Sequence, residues 1–315
     1  MPPRSRSTAR CSPTSPCATP PPSPPWWRWP ARPCRRPTRP RPDRPERFLP
    51  ALGYRHQRIQ RLRRLSGRRS ARQAEGAFVV EGPKLLGEAL AAGAVESAYL
   101  APGAGPTERA LAERCLDAGA RVFELEDGVL ERVTGTVTPQ PILGVAADPS
   151  RPLAAVGESA PSLVVVCADV RDPGNAGTVL RSAAAAGADA VIACDGSVDL
   201  LNPKTVRASA GALFRVPIVN GGAPEAVLDA LAAWGLTRLG TAAHGGTDYL
   251  EVDLAAPTAL VLGNEAHGLR PEVAGRLDGA VSIPMAPGAE SLNVGIAAAV
   301  LCFEAARRRR VPAAG

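Results

Sequence analysis

The run LVVVCADV (163–170) is almost uninterruptedly apolar. A strand with one solvated face alternates polar and apolar residues, so a strand without that alternation must be covered on both faces, as in a parallel sheet flanked by helices. The residues that follow meet this demand. TVLRSAAAAG reads as a helix, ADAVIAC as a strand, KTVRASAGALF as a helix and VPIV as a strand. EAVLDALAAWG is a further helix, then come the strands RLGTAA, TALVLG and AVSIPM and a long last helix, LNVGIAAAVLCFEAARRRR. Such alternation predicts an α/β domain with a mostly parallel sheet and helices on both sides. Ligands of these sheets bind outside the carboxyl ends of the strands. Three loops stand at such ends: RDPGNAGTVLR after LVVVCADV, NEAHGL after TALVLG and APGAESLN after AVSIPM.

Upstream, residues 77–147 alternate in the same way, from the strand FVVEG and helix PKLLGEALAAG to the strand ILGVAA, and form a smaller α/β unit. The Pro, Gly and Ser content of DPSRPLAAVGESAPS (148–162) marks a linker and the domain boundary. This organisation places a tail at 1–50, a first domain at 51–147 and a second at 163–315. The 315-residue length accommodates two domains.

Charge is unevenly distributed. Residues 1–72 hold 19 of the 37 basic side chains against two acids, so the rest of the chain is net acidic. Residues 1–50 also hold 16 of the 33 prolines, in stretches such as TPPPSPPWWRWPARP, and no periodic apolar pattern; this composition reads as a disordered tail. Proline at that density opposes the amphipathic helix of an organelle transit peptide. A start codon assigned upstream of a working protein that begins near Ala51 accounts for the tail equally well. In YRHQRIQRLRRLSGRRSAR (54–72), Ile59, Leu62 and Leu65 share one helical face with arginines around them. The pattern suits a helix lying on a polyanion, the alternative being a solvated charged face.

No apolar stretch approaches the roughly 18–20 residues of a membrane span. The cysteines at 11, 17, 34, 115, 167, 194 and 302 form no CxxC pair, so neither a zinc site nor a disulfide framework is indicated. No metal is expected, and a reducing, cytoplasmic location fits; Cys302 reads as core. The strand-end loops contain no GxGxxG, GxxxxGK[ST] or GxSxG, which counts against a dinucleotide oxidoreductase, a P-loop NTPase and an α/β-hydrolase. The Gly263 turn can still bring bare backbone close to a ligand. Taken alone, Asn175, Ser291 and Asn293 are also good helix caps, Ile283 and Leu292 good core residues, His267 a loop residue and His244 a less favoured pocket residue.

The three loops are similar to the three motifs of the SpoU-type (TrmH-like) RNA ribose 2′-O-methyltransferases of the SPOUT superfamily. They are matched by Asp172-Pro-Gly-Asn175-Ala-Gly-Thr-Val-Leu-Arg181, by Leu260-Val-Leu-Gly263-Asn-Glu265-Ala-His-Gly268-Leu, and by Ile283-Pro-Met285-Ala-Pro-Gly-Ala-Glu-Ser291-Leu292-Asn293-Val294. NPKTVRASAGALFRVPI (202–218) also resembles the family, as does AFVVEGPKLLGEAL, more loosely. The resemblance implies a trefoil-knotted parallel-sheet methyltransferase domain preceded by a small L30e-like α/β substrate-binding domain. Topology rules alone would exclude a knot.

By the same resemblance, Asn175 and Arg181 meet the ribose, with Glu265, Ser291 and Asn293 completing the polar site. S-adenosyl-L-methionine is the implied methyl donor, its adenosine set against Gly263, Ile283 and Leu292. Arg181 is the family's proposed activator of the 2′-hydroxyl. A guanidinium is a poor base at neutral pH, so holding the adjacent phosphate is an alternative role. The implied function is ribose 2′-O-methylation of RNA, with 23S-type ribosomal RNA favoured over tRNA, by a homodimer packed through the knot region and the last helix. The rival reading is a non-catalytic RNA-binding protein on the same fold.

Overall fold

The computed structural model describes residues 49–135 and 138–310. Most of the stretch read as a tail, 1–48, thus lies outside the described residues. The first sheet is built from β1 (Leu49–Leu52), β2 (Ala77–Glu81), β3 (Val95–Leu100), β4 (Arg121–Leu125) and β5 (Ile142–Ala147), in the order β1-β4-β3-β5-β2. β1, β4 and β3 are parallel, and β5 runs antiparallel to both β3 and β2. Successive strand residues face opposite sides. Phe78 and Val80 therefore join the core under α3 (Pro83–Ala91) and α4 (Pro106–Asp117), while Val79 meets Ile59, Leu62 and Leu65 of α1 (Gln57–Gly67) and Leu130 of α5 (Val129–Thr134).

The apolar face expected of the basic helix is thus fully buried, but its arginines are less free than the charge run suggests. Arg61 and Arg64 pair with Glu75, and Arg61 also with Glu96. Arg58 lies over the ring of Phe123 and Arg63 over that of Tyr54. Arg72 of α2 (Arg69–Glu75) is buried. Among the described residues, only Arg55, Arg68 and Arg69 of this segment have no side-chain partner.

The second sheet has seven strands, all paired in parallel: β6 (Leu163–Cys167), β7 (Ala190–Cys194), β8 (Ile218–Gly222), β9 (Thr237–Thr241), β10 (Thr247–Asp248), β11 (Thr258–Leu262) and β12 (Gly279–Ser282). Their order is β10-β12-β9-β11-β6-β7-β8. All five residues of β6 and of β11 are buried, as the apolar runs require. Leu163, Val165 and Cys167 face one core, which contains residues of α7 (Pro173–Ala186) and α11 (Val294–Arg310); Val164 and Val166 face the other, which contains residues of α9 (Pro224–Ala233). Burial pushes the thiols of Cys167 and Cys302 up to about 12, which suits inert core cysteines.

Strand order reverses beside β6: the chain runs outward through β7 and β8, then returns to β9 and inserts β11 between β9 and β6. After β12, near the far edge, it comes back to α11, which packs on α7 and β11.

Several boundaries differ from the periodicity reading. KTVRASAGALF divides into α8 (Pro203–Ser209) and a single 3-10 turn, Ala212–Phe214, because Ala210 (φ +50) and Gly211 (φ +91) adopt left-handed backbone. A Cβ on Gly211 would also lie 2.7 Å from the Glu88 side chain of the first domain. AVSIPM is strand only to Ser282, and α11 starts at Val294, which leaves Ile283 to Asn293 as loop. The linker stretch holds a short helix, α6 (Leu153–Gly157), with Gly157 against Trp234. β10 and α10 (Pro271–Ala274) are too short to leave a periodic signal.

The two sheets are tied together across their helices. The Arg72 guanidinium donates to Asp199 Oδ2 at 2.9 and 2.6 Å and to the Leu65 carbonyl at 2.7 Å, with both ionic side chains at or below 10% exposure. Removing one partner of such a buried pair leaves an uncompensated charge, at a cost of about 3–5 kcal/mol. Arg207 pairs with Glu81 and Arg215 with Glu88 across the same boundary, and Phe78 stacks on Phe214.

Candidate active site

β11 pairs with β6 in register, Leu262 opposite Cys167, so the loops that leave their carboxyl ends emerge side by side. The loop after β12 and the first turn of α11 close over them. Together they line a cleft of about 420 Å³, within the range of small-molecule sites. Its polar side carries Asn175, Glu265, Ser291 and Asn293; its apolar side carries Val281, Ile283, Leu292 and Val294.

Three of these residues form a chain of hydrogen bonds, one from each motif. Asn293 Nδ2 donates to Asn175 Oδ1 at 2.7 Å, and Asn175 Nδ2 donates to Glu265 Oε1 at 3.0 Å. Glu265 also accepts from the backbone N–H groups of Asp172 (3.1 Å) and Arg171 (3.4 Å). Loops one and two are further joined by Asn264 Nδ2, which donates to the Asp169 carbonyl at 3.3 Å. The caps belong to the same residues. Asp172 caps α7 by accepting from Asn175 N–H at 2.8 Å, while Asn293 accepts from the N–H groups of Gly295 (2.9 Å) and Ile296 (3.3 Å) at the start of α11. The cap that Ser291 could have supplied is therefore made by Asn293, and the exposed Ser291 hydroxyl has no partner among the described residues.

Gly263 has a second reason to be glycine besides the close ligand approach that the sequence suggests. A Cβ there would lie 2.5 Å from the Gly268 carbonyl carbon and 2.7 Å from Leu269 N. The residue is needed for the loop to close on itself through the paired bonds Asn264 N–H to Gly268 C=O (2.8 Å) and Gly268 N–H to Asn264 C=O (2.9 Å). Gly263 still lines the cleft. In the third loop, the only backbone hydrogen bond made by 283–292 among the described residues is Ala289 N–H to Ala286 C=O, so the peptide groups of Ile283 and Leu292 are available to a ligand.

Arg181 stands apart from the other predicted site residues. It is exposed on α7, outside the cleft lining, with no partner among the described residues. Six residues beyond Asn175, it is about 120° away around the helix. His267 Nδ1 lies 3.2 Å from Asn264 Oδ1 within its own loop, and neither it nor His244 lines the cleft. Thr241, Ala242 and Ala243 at the end of β9 do line it. The sequence reading missed them; their only signal was their place at a strand's carboxyl end. Among the described residues, no three His, Cys, Asp or Glu side chains are grouped to hold a metal ion.

Burial alone would raise the Glu265 carboxyl, but hydrogen bonds from Asn175 and from the backbone of Asp172, Glu265 and Arg171 outweigh it and hold the group below the usual carboxylate range. A depressed folded-state value stabilises the fold above the unfolded value, and that contribution is lost as pH falls through the folded value. Glu265→Gln should therefore destabilise the protein by about 1 kcal/mol at neutral pH, the low end for bonds to a partly exposed charge. Denaturant titrations should show that difference constant at neutral pH and shrinking as pH falls below about 4.3.

Comparison with known proteins agrees with this geometry. Residues 162–303 match the SpoU rRNA Methylase family, and residues 56–144 match the MRM3-like substrate binding domain. The chain is 35% identical over 226 residues to the 23S rRNA (guanosine(2553)-2′-O)-methyltransferase RlmP of Bacillus subtilis, an alignment covering 72% of this chain and 87% of that protein. It is 31% identical over 296 residues to the mitochondrial rRNA methyltransferase 3 of Mus musculus, covering 77% of this chain and 70% of that one. The AdoMet-bound rRNA methyltransferase from Sinorhizobium meliloti superposes with a TM-score of 0.74 at 29% identity, over 84% of this chain and 100% of that chain. With its three motif loops folded into one cleft, the chain belongs to the SpoU rRNA methylase family.

Proposed function

We infer that this chain is an S-adenosylmethionine-dependent RNA methyltransferase that methylates a ribose 2′-hydroxyl in 23S-type ribosomal RNA. The observation that carries the reading is the cleft in which Asn293, Asn175 and Glu265, one from each motif, are hydrogen-bonded in a row. The ribosomal assignment rests on the relatives named above.

The cleft fits the methyl donor on its own evidence: an apolar side at Ile283 and Leu292 for a flat ring, and unpaired peptide groups beside them for its polar edge. S-adenosylmethionine, when bound, supplies an activated methyl group and carries its own leaving group, so this chemistry asks the protein mainly for orientation. Asn175 is held by bonds on both sides of its amide, which fixes the direction in which it faces the cleft. Ser291 offers an unengaged hydroxyl to the ribose. Arg181, exposed and unpaired, holds the phosphate beside the target ribose bidentately.

The working protein is a cytoplasmic homodimer. Leu292, Ile296 and Phe303 are 40%, 49% and 49% exposed, and Ile296 and Phe303 lie seven residues apart on one face of α11. An apolar row beside the cleft is suited to a second copy of the chain. Sedimentation should give a dimer for the wild type and a monomer for Phe303→Glu; a wild-type monomer would contradict the assignment.

Labelled methyl from S-adenosylmethionine should enter an alkali-resistant linkage in unmodified ribosomal RNA and not in tRNA. Arg181→Ala should reduce that transfer at least 100-fold, roughly the cost of losing an orienting group, while donor binding is retained. Label on a base would overturn the ribose assignment, label in tRNA the ribosomal one, and absence of donor binding would favour a non-catalytic RNA-binding protein.

A further inference from the structure

We propose that the groove between the two domains is a second RNA-contact site, which grips the phosphodiester backbone next to the nucleotide being methylated, with Lys204 as its anchoring charge. The proposal rests on the RNA substrate inferred above. The groove encloses about 340 Å³, and its walls come from both domains: Ser66 and Glu81 from the first, Pro173, Asn202, Lys204 and Arg207 from the second.

Its position relative to the methyl-transfer cleft follows from helix geometry. Pro173 lines the groove and Asn175 lines the cleft. Two residues on an α-helix are separated by about 200° of rotation, so groove and cleft open on opposite sides of the first turn of α7. A strand of RNA that crosses this turn reaches both.

The charges single out Lys204. The Glu81 carboxylate is engaged by Arg207 at 3.0 Å and by the Gln140 N–H at 3.3 Å, which leaves the Glu81–Arg207 pair neutral. The exposed Lys204 ammonium has no partner among the described residues and gives the groove its net positive charge. The Asn202 side chain accepts from the Lys204 backbone N–H at 2.9 Å, which fixes the main chain from which the ammonium extends. Ser66 is followed closely in the chain by Arg68 and Arg69, whose side chains are unpaired where those of Arg61, Arg64 and Arg72 are engaged by carboxylates. Two cations of the basic segment without a partner among the described residues thus lie within three residues of the groove-lining Ser66 in the chain. One net charge in a polar setting matches a phosphodiester, which is singly anionic and requires no base-specific contact.

The test is binding of the full-length protein to unmodified 23S-type ribosomal RNA, made by in vitro transcription, over a range of salt concentrations, with steady-state methyl transfer on the same RNA. Lys204→Ala should weaken RNA binding roughly fivefold and reduce the slope of log affinity against log salt by about 0.7–0.9, the loss of one phosphate contact. It should raise KM for RNA more than it lowers kcat and leave S-adenosylmethionine affinity unchanged. Lys204→Arg should restore the salt slope, which a purely structural role would not predict. Wild-type affinity and slope in Lys204→Ala, with methyl transfer intact in the wild type, would overturn the groove while leaving the function in place. A wild-type protein that neither binds nor methylates this RNA would overturn both.

Discussion

The in-register pairing of β6 with β11 is the constraint on which the rest of the second domain depends. Both strands are buried on both faces, so neither can slip without turning apolar side chains toward helices shaped for others. With Leu262 held opposite Cys167, the loops that follow must leave the sheet together. Glu265 of one loop can then accept from the backbone of the other. The third loop joins through Asn293, which caps α11 and donates to Asn175 at once. Cleft lining and helix capping therefore share the same side chains, and each constrains the orientation of the other.

The legible part of this architecture was what periodicity reports. Strands as apolar as LVVVC and TALVL announced their burial, and the helices packed on them followed from spacing. The beginnings and ends of elements were less visible. The last helix reads as helical from Leu292, yet Asn293 caps it, which leaves Leu292 in the loop that lines the cleft. Sequence marks Gly263 as a close-approach position, but the approach of the Gly268 backbone within the same loop has no local signature. The contribution of Thr241, Ala242 and Ala243 depends on the insertion of β11 beside β9, a long-range fact with no local signature.

The basic segment shows how a charge count differs from a binding surface. Eight arginines between 51 and 72 suggest a polyanion-binding helix. The fold uses several of them internally: Arg61 and Arg64 hold Glu75, and Arg72 fastens the first domain to Asp199 of the second. That buried pair, with the Arg207–Glu81 and Arg215–Glu88 bridges, joins the substrate-binding domain to the methylase domain. Among the described residues, Arg68, Arg69, Arg181 and Lys204 are some of the cations that no carboxylate engages.

Glu265, Asn175 and Asn293, hydrogen-bonded in a row along the cleft, are expected to act as one unit toward the methyl donor. Calorimetric titration of S-adenosylmethionine into the wild type, Glu265→Gln, Asn293→Ser and the double variant tests it most directly, because serine keeps the helix cap while removing the amide that reaches Asn175. The two substitutions should be coupled by about 1 kcal/mol or more, as expected of members of one hydrogen-bond network. Additive effects, or donor affinity unchanged by either substitution, would contradict it.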